Sequence, residues 1–211
     1  MPKIVSSIPG YRVYEYQLVL QPHEELRNRI QTVKQQFAEK YKAPMAGVTK
    51  PHITLVNFLG YQMTEERLLH RMGHIALGLV PFKVELKDFG SFPSHTIYIA
   101  VNTKLPVKAV VHELKGAQQL MTLNKDHKPH FIEESHLAIC RKLKPWQYEA
   151  GWLEYSHRHF TGRFIADSML LLRRPVHEKG YQLLKRFEFQ NMAVATKQGS
   201  LFGPLSPQGG T

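Results

Sequence analysis

The sequence has a single cysteine and no long apolar run. Cys140 has no partner in the chain, which excludes an intrachain disulfide framework and favours a reduced, cytoplasmic setting. The longest nearly apolar stretch, residues 75–82, is far shorter than the roughly 18 residues that a membrane-spanning helix needs. The first residues also lack the apolar core of a signal peptide. We therefore expect a soluble protein that is not exported and has no membrane partner.

Several common catalytic motifs are missing as well. The sequence contains no Walker loop, GxGxxG, HExxH or GxSxG pattern, which argues against nucleoside-triphosphate, dinucleotide, zinc-peptidase and hydrolase-elbow chemistry. His70 and His74 are four residues apart on a predicted helix, a spacing that could hold a metal, but no third ligand is near in sequence. A solvated helix face is the better interpretation, so neither a metal site nor a cofactor is predicted.

Basic residues outnumber acidic ones by 28 to 17, which gives a formal net charge of +11. Cationic surfaces concentrate phosphate-bearing ligands and accelerate their association, so the charge suggests RNA or nucleotides as partners. The excess is spread over both halves of the chain, without a basic arm or tail. An ordinary solvated surface therefore explains it equally well.

The first half of the chain alternates between strand and helix patterns. Residues 13–20 are rich in β-branched and aromatic side chains and predict a strand. The pattern then predicts a strand over 52–58 closed by Gly60, a helix over about 64–79 and a strand beginning at residue 82. The first half is therefore predicted as βαβαβ. The helix between the first two strands has an apolar stripe at helical spacing, formed by Leu26, Ile30, Val33, Phe37 and Tyr41.

The same order of elements begins again near residue 95. Laying one half over the other at offsets of about 82 to 84 residues places Tyr16 near Tyr98 and His52 on His136. This similarity predicts an internal duplication. The elements predicted for the second half are a strand over 97–101, a helix from Pro106, a strand over 135–141, a helix over 145–159, and strands over 164–172 and 181–189.

The pattern predicts an α+β fold with repeats at about 12–91 and 95–190. We expect two pseudo-symmetric lobes, each an antiparallel sheet with flanking helices, around a central cleft that is the default ligand site. Residues 1–195 should form one bilobal domain that acts as a monomer. Residues 196–211, rich in Gly and Pro, should form a flexible tail.

His52 and Thr54 are two residues apart on a predicted strand, so both side chains leave the same face, with Cα atoms about 6.6 Å apart. This spacing suits one phosphate, because an imidazole can transfer a proton while the hydroxyl donates to a phosphate oxygen. A His-x-Ser/Thr pattern occurs by chance about once in such a sequence. The repeat strengthens it, because His136 occupies the equivalent position in the second half.

These residues resemble the signature of the two-histidine (2H) phosphoesterase superfamily, a pair of His-x-Thr/Ser-x motifs found in 2',5' RNA ligase-like proteins and cyclic nucleotide phosphodiesterases. The resemblance covers residues 12–190 and implies the bilobal fold and metal-independent, cofactor-free chemistry. It implies as substrate an RNA end or small nucleotide with a 2',3'-cyclic phosphate or a 2',5' linkage, and the reverse reaction would be RNA ligation. The full match is Pro51-His52-Ile53-Thr54-Leu55, and the partial match is His136-Leu137-Ala138-Ile139-Cys140-Arg141.

Ala138 departs from the motif, because the pattern has Thr or Ser there. The lost phosphate contact should cost about 1 to 3 kcal/mol unless another group substitutes for it. Ser135, Arg141 or a backbone amide could do so, although strand alternation from His136 places Arg141 on the opposite face. The resemblance thus implies His52 and His136 as catalytic residues, with Thr54, Arg141 and Ser135 as candidate phosphate ligands.

Two alternatives stay open at this point. Ala138 could mark a non-catalytic module that only holds an RNA end or a nucleotide, or the chain could be a protein scaffold in which neither histidine matters. Three aromatic residues in predicted loops, Tyr61, Phe92 and Phe131, are candidates for stacking on a base.

Overall fold

The computed structural model describes residues 11–192, so residues 1–10 and the predicted tail at 196–211 lie outside the described residues. The helices are α1 (Glu24–Lys40), α2 (Pro44–Val48), α3 (Glu65–Gly78), α4 (Lys104–Lys115), α5 (Gln118–Met121) and α6 (Pro145–Tyr155). The strands are β1 (Val13–Leu20), β2 (Ile53–Tyr61), β3 (Phe82–Phe92), β4 (Thr96–Val101), β5 (His130–Phe131), β6 (His136–Cys140), β7 (Thr161–Ala166), β8 (Ser168–Pro175) and β9 (Gln182–Glu188).

These strands form two antiparallel sheets. The first sheet has the order β5-β2-β1-β8-β9, and the second has the order β6-β4-β3-β7. Every pairing within them is antiparallel. The α+β architecture with two antiparallel sheets and flanking helices is therefore confirmed.

Each sheet contains strands from both halves of the sequence. The last strand of the first half, β3, pairs with β4 of the second half, where Gly90 is opposite Tyr98. In return β8, from the second half, pairs with β1, where Leu171 is opposite Leu18. Neither sheet is built from one half of the sequence alone.

The stretch 164–172, predicted as one strand, is divided between the two sheets. β7 ends at Ala166 and pairs with β3, whereas β8 begins at Ser168 and pairs with β1. The chain changes sheet at Asp167, whose carbonyl accepts a hydrogen bond from the Phe189 amide. Apolar residues continue on both sides of Asp167, so a hydrophobic pattern cannot locate the change.

Helices cover one face of each sheet, and a continuous core joins the layers. α1 and α6 pack on the second sheet, and α3, α4 and α5 pack on the first. α1 buries Leu26, Ile30 and Phe37, as its apolar stripe predicts, but Val33 is only partly buried and Lys34 is buried in its place. No helix within residues 11–192 is long and apolar enough to cross a membrane.

The two sheets meet where the start of β2 contacts β6. We call this region the seam, and both histidines lie there. His52 directly precedes β2, and His136 is the first residue of β6. β2 continues through Gly60 instead of ending there. A Cβ at Gly60 would lie 3.2 Å from the Tyr16 ring, so this glycine serves close packing within the strand and does not mark a turn.

Candidate active site

The two histidines make the same hydrogen bond to the backbone. His52 Nδ1 lies 2.8 Å from the carbonyl oxygen of Lys50, and His136 Nδ1 lies 2.8 Å from the carbonyl oxygen of Glu134. A carbonyl can only accept, so each Nδ1 carries the proton in the neutral ring. Each Nε2 is then an acceptor that can take a proton from a ligand. Both rings are thus fixed in the tautomer that a general base requires.

The surroundings of both imidazoles lower their pKa values. Burial lowers the pKa of His52 to about 4, and the cations of Arg141 and Lys34 contribute to the decrease. Burial also lowers the pKa of His136, with a further contribution from Arg141. Because Arg141 acts on both rings, the two histidines belong to one electropositive site. Such a site attracts an anion, and a bound anion would raise both pKa values again.

Arg141 reaches the site by a route that strand alternation does not predict. β6 has a β-bulge opposite Ile97 and Tyr98 and ends at Cys140, so the alternation counted from His136 does not extend to Arg141. Arg141 is therefore outside the alternating part of β6. Its Nη2 atom lies 3.3 Å from His136 Nε2. The placement of Arg141 on the opposite face was wrong, and its guanidinium lies beside the ring.

Two hydroxyls near the histidines have no hydrogen-bond partner among the described residues. Thr54 is 2% exposed and its Oγ1 is one of them. The other is Ser135 Oγ, directly before β6. A buried hydroxyl without a partner is unusual, because losing its hydrogen bond to water costs about 1 to 3 kcal/mol. An incoming phosphate oxygen would provide the missing partner for Thr54.

Lys34 is a residue of the site that the sequence analysis missed. It lies on α1, is 2% exposed, and its Nζ donates to Thr49 Oγ1 at 2.7 Å and to the Ala138 carbonyl at 3.2 Å. Burial lowers its pKa to about 8. The signal was present in the sequence, because Ile30, Lys34 and Phe37 follow one another at helical spacing.

A groove of about 430 Å³ lies beside His136. The Phe92 and His136 rings are 4.9 Å apart at 81°, an edge-on contact. Tyr61 is not part of the groove, because it pairs with Val13 at the far end of β2. The groove is lined by Phe92, His130, Phe131, Ile132, Glu133, Glu134 and His136.

His70 and His74 form an isolated pair on α3, with ring centroids 4.6 Å apart. Within residues 11–192, no three His, Cys, Asp or Glu side chains come together in an arrangement that could hold a metal ion. The pair therefore adds no ligand set to the site at the seam.

Comparison with known proteins agrees with this geometry. The sequence model of the 2'-5' RNA ligase superfamily matches residues 22–178, which is most of the chain and includes both histidine motifs. The chain belongs to this superfamily of two-histidine phosphoesterases. Its members' chemistry supports a phosphoesterase-like or ligase-like enzyme. Among curated proteins, no match was found.

Solved structures show the same fold. E. coli LigT complexed with 3'-AMP superimposes with a TM-score of 0.58 at 15% identity, covering 84% of this chain and 98% of LigT. The protein TT0787 of Thermus thermophilus gives a TM-score of 0.56 at 19% identity, covering 83% of this chain and 98% of the other. At these identities the likeness concerns the fold of the superfamily, and the chemistry depends on the residues of the site.

Proposed function

We propose that this member of the superfamily is a metal-independent phosphoesterase that acts on 2',3'-cyclic phosphate or 2',5'-linked RNA ends or nucleotides. The observation that carries the proposal is the matched pair of Nδ1 hydrogen bonds at His52 and His136. A purely structural histidine needs no particular tautomer, whereas two rings that keep Nε2 as the acceptor can serve as acid and base. His136 Nε2 faces the Arg141 guanidinium, which a bound phosphate would draw away.

The chemistry requires one neutral and one protonated histidine. For a 2',3'-cyclic phosphate, the neutral ring takes a proton from water while the water oxygen attacks phosphorus. The bond from phosphorus to one ribose oxygen breaks, and the protonated ring gives its proton to that oxygen. We assign the base to His52, whose pKa of about 4 keeps it neutral, and the acid to His136. With a ribose 5'-hydroxyl in place of water as the nucleophile, the same two proton transfers would join that hydroxyl to the phosphate as the ring opens.

The surroundings suit a phosphate attached to a nucleoside. Thr54 Oγ1 would donate to a phosphate oxygen, and Arg141 would exchange its contact with His136 for a charge-assisted one. Phe92 and Phe131 in the adjacent groove would contact the base. Structures of E. coli LigT with 3'-AMP and with phosphate support this ligand class.

The test is a product assay in EDTA. Its substrates are RNA oligomers ending in a 2',3'-cyclic phosphate, the four 2',3'-cyclic mononucleotides and 2',5'-linked dinucleotides. We expect turnover by the wild type and a loss of at least about 100-fold in His52→Ala and His136→Ala. His74→Ala, an exposed histidine on α3, is the matched control and should keep full activity. Equal turnover in all four proteins would contradict the proposal.

A non-catalytic module that holds RNA ends is the second candidate, and Ala138 favours it. That residue removes one expected hydroxyl, and both histidines are predominantly neutral at pH 7 in the free protein. This candidate predicts that the wild type binds 2'- or 3'-phosphate ends without turnover. His52→Ala would then change affinity alone, and the same assay distinguishes the two functions.

A further inference from the structure

Lys34 is a buried cation without an anionic partner. It is 2% exposed, and its hydrogen bonds go to two neutral oxygens, Thr49 Oγ1 and the Ala138 carbonyl. Within residues 11–192 no carboxylate forms an ion pair with it. Removing an ammonium group from water costs several kcal/mol unless a charge compensates for it. The charge on Lys34 therefore destabilises the folded protein when no ligand is bound.

The position of Lys34 indicates a function for this charge in the site. Thr49 lies in the segment just before His52, and Ala138 lies two residues after His136, so the ammonium group ties the two histidine strands together across the seam. The ligand at the seam is, under the proposed function, an anion. A phosphate there would be the counter-charge that the folded protein lacks.

The same residue adjoins the defect in the second motif. The expected hydroxyl is missing at Ala138, and the carbonyl of Ala138 is the one that accepts from Lys34. An ammonium group has three N–H donors, and two are used among the described residues. A cation close to this strand can stabilise phosphate charge over a short distance in place of a hydrogen bond from the absent side chain.

We propose that Lys34 is a positioning residue that fixes the two histidine strands relative to each other and supplies the positive charge that compensates for the hydroxyl missing at Ala138. This inference rests on the proposed function for the identity of the anion. It adds that phosphate affinity depends on a buried lysine from α1, outside both histidine motifs.

The first test is the binding of adenosine 2'- and 3'-monophosphate by calorimetry between pH 7 and 10. These ligands are fully ionised above about pH 7, so any further change comes from the protein. We expect wild-type affinity to fall above pH 8, where Lys34 loses its charge. The neighbouring Cys140 thiol, whose pKa burial raises, also ionises at alkaline pH, but its effect would persist in Lys34→Arg. Lys34→Arg should keep its affinity to pH 10, because guanidinium stays protonated.

Lys34→Met is the complementary variant. Replacing a buried ion by an apolar side chain of similar length usually leaves a protein folded, which a thermal melt would verify. We expect affinity at pH 7 to fall about 10- to 100-fold and the dependence above pH 8 to disappear. Lys40→Met, on the same helix, is the matched control and should bind like wild type, because the exposed Lys40 ammonium pairs with Glu154 on α6. Wild-type affinity in Lys34→Met would overturn the inference.

An NMR titration of His52 separates this inference from the proposed function. If the wild type binds neither nucleotide, the proposed ligand class is wrong, but the electrostatic link between Lys34 and His52 can still be measured. The pKa of His52 should rise in Lys34→Met and stay unchanged in Lys40→Met. An unchanged pKa in Lys34→Met would overturn the role assigned to Lys34, whatever the ligand.

Discussion

At the scale of single residues, removing the hydroxyl of Thr54 should affect ligand binding and protein stability in opposite directions. Its Oγ1 is buried without a partner among the described residues, so it weakens the folded protein when no ligand is bound. Thr54→Val keeps the shape and removes the hydroxyl. We expect kcat/KM on a cyclic phosphate to fall about 10- to 100-fold, while the free energy of unfolding stays equal or rises by about 1 kcal/mol.

Two measurements check this prediction, namely steady-state kinetics and urea unfolding of the same preparations. Thr122→Val is a suitable control, because that exposed hydroxyl already donates to the Gln118 carbonyl. It should leave kcat/KM unchanged. If Thr54→Val lost stability and kept its activity, the hydroxyl would be structural.

The pH dependence of catalysis follows from the two histidines. Catalysis needs one neutral and one protonated ring, and both pKa values lie below 6.5, with that of His52 at about 4. The pair with one protonated ring is therefore most abundant at a pH between the pKa of His52 and the pKa of His136. We expect kcat/KM, which reports on the free enzyme, to peak below pH 6.5 and to fall at higher pH as the acid loses its proton.

Burial is the main cause of this acidic optimum, and Arg141→Gln tests the electrostatic contribution to it. The guanidinium lowers the pKa of both histidines, so its removal should raise both values and move the optimum of kcat/KM to higher pH, together with a lower maximum. Lys142→Gln, which removes a neighbouring exposed charge, should leave the optimum where it is. An optimum that stays fixed in Arg141→Gln would contradict the electrostatic explanation.

At the scale of elements, α6 packs against α1 and β4 through a glycine. A Cβ at Gly151 would lie 2.9 Å from the Phe37 ring and 3.2 Å from Ile97 Cδ1, and both of these side chains are fully buried. Gly151→Ala should therefore lower the free energy of unfolding by about 1 to 2 kcal/mol, because overpacking exceeds the gain in helix propensity.

Gly73→Ala in α3 provides the opposite case. No atom lies within 4 Å of a Cβ placed there, so only the helix propensity changes, and the variant should be more stable by about 0.5 to 1 kcal/mol. Urea unfolding of the two variants should give shifts of opposite sign. Shifts of the same sign would show that the contact of Gly151 with Phe37 does not control the packing of α6.

The elements themselves were predicted well where the hydrophobic period is strong. The strand at 13–20 has the bounds that its pattern indicated, and four of the five residues in the apolar stripe of α1 are buried. The period could not show that Lys34 takes a buried place on α1, because polar residues are normally assigned to the solvent face. Nor could it place Arg141, since a β-bulge interrupts the alternation of β6 and the strand ends one residue before Arg141.

At the scale of the whole molecule, the sequence predicted two sheets but not which strands share them. Sequence similarity between the halves suggested one lobe for each half, whereas β3 and β8 each pair with a strand of the other half. Local patterns carry no information on such long-range pairings. This pairing of strands from different halves matters for the site, because it joins both sheets around the seam where β2 and β6 meet.

The net charge of +11 allows a prediction for the whole surface. If the basic surface engages RNA beyond the terminal phosphate, affinity for an oligomer should depend more steeply on salt than affinity for a mononucleotide. Each additional phosphate contact should steepen the slope of log affinity against log salt by about 0.7. We expect the slope for oligomers ending in a 2'- or 3'-phosphate to grow with length and then level off when the surface is filled.

Calorimetric titrations of His52→Ala with oligomers of increasing length, at several salt concentrations, measure these slopes without turnover. A steeper slope for the oligomers would mean that the charge extends the binding site along the RNA strand. The same slope for a mononucleotide and an oligomer would mean that only the terminal phosphate is held. The excess of basic residues would then be an ordinary solvated surface, and small nucleotides would be the better candidates for the natural substrate than RNA ends.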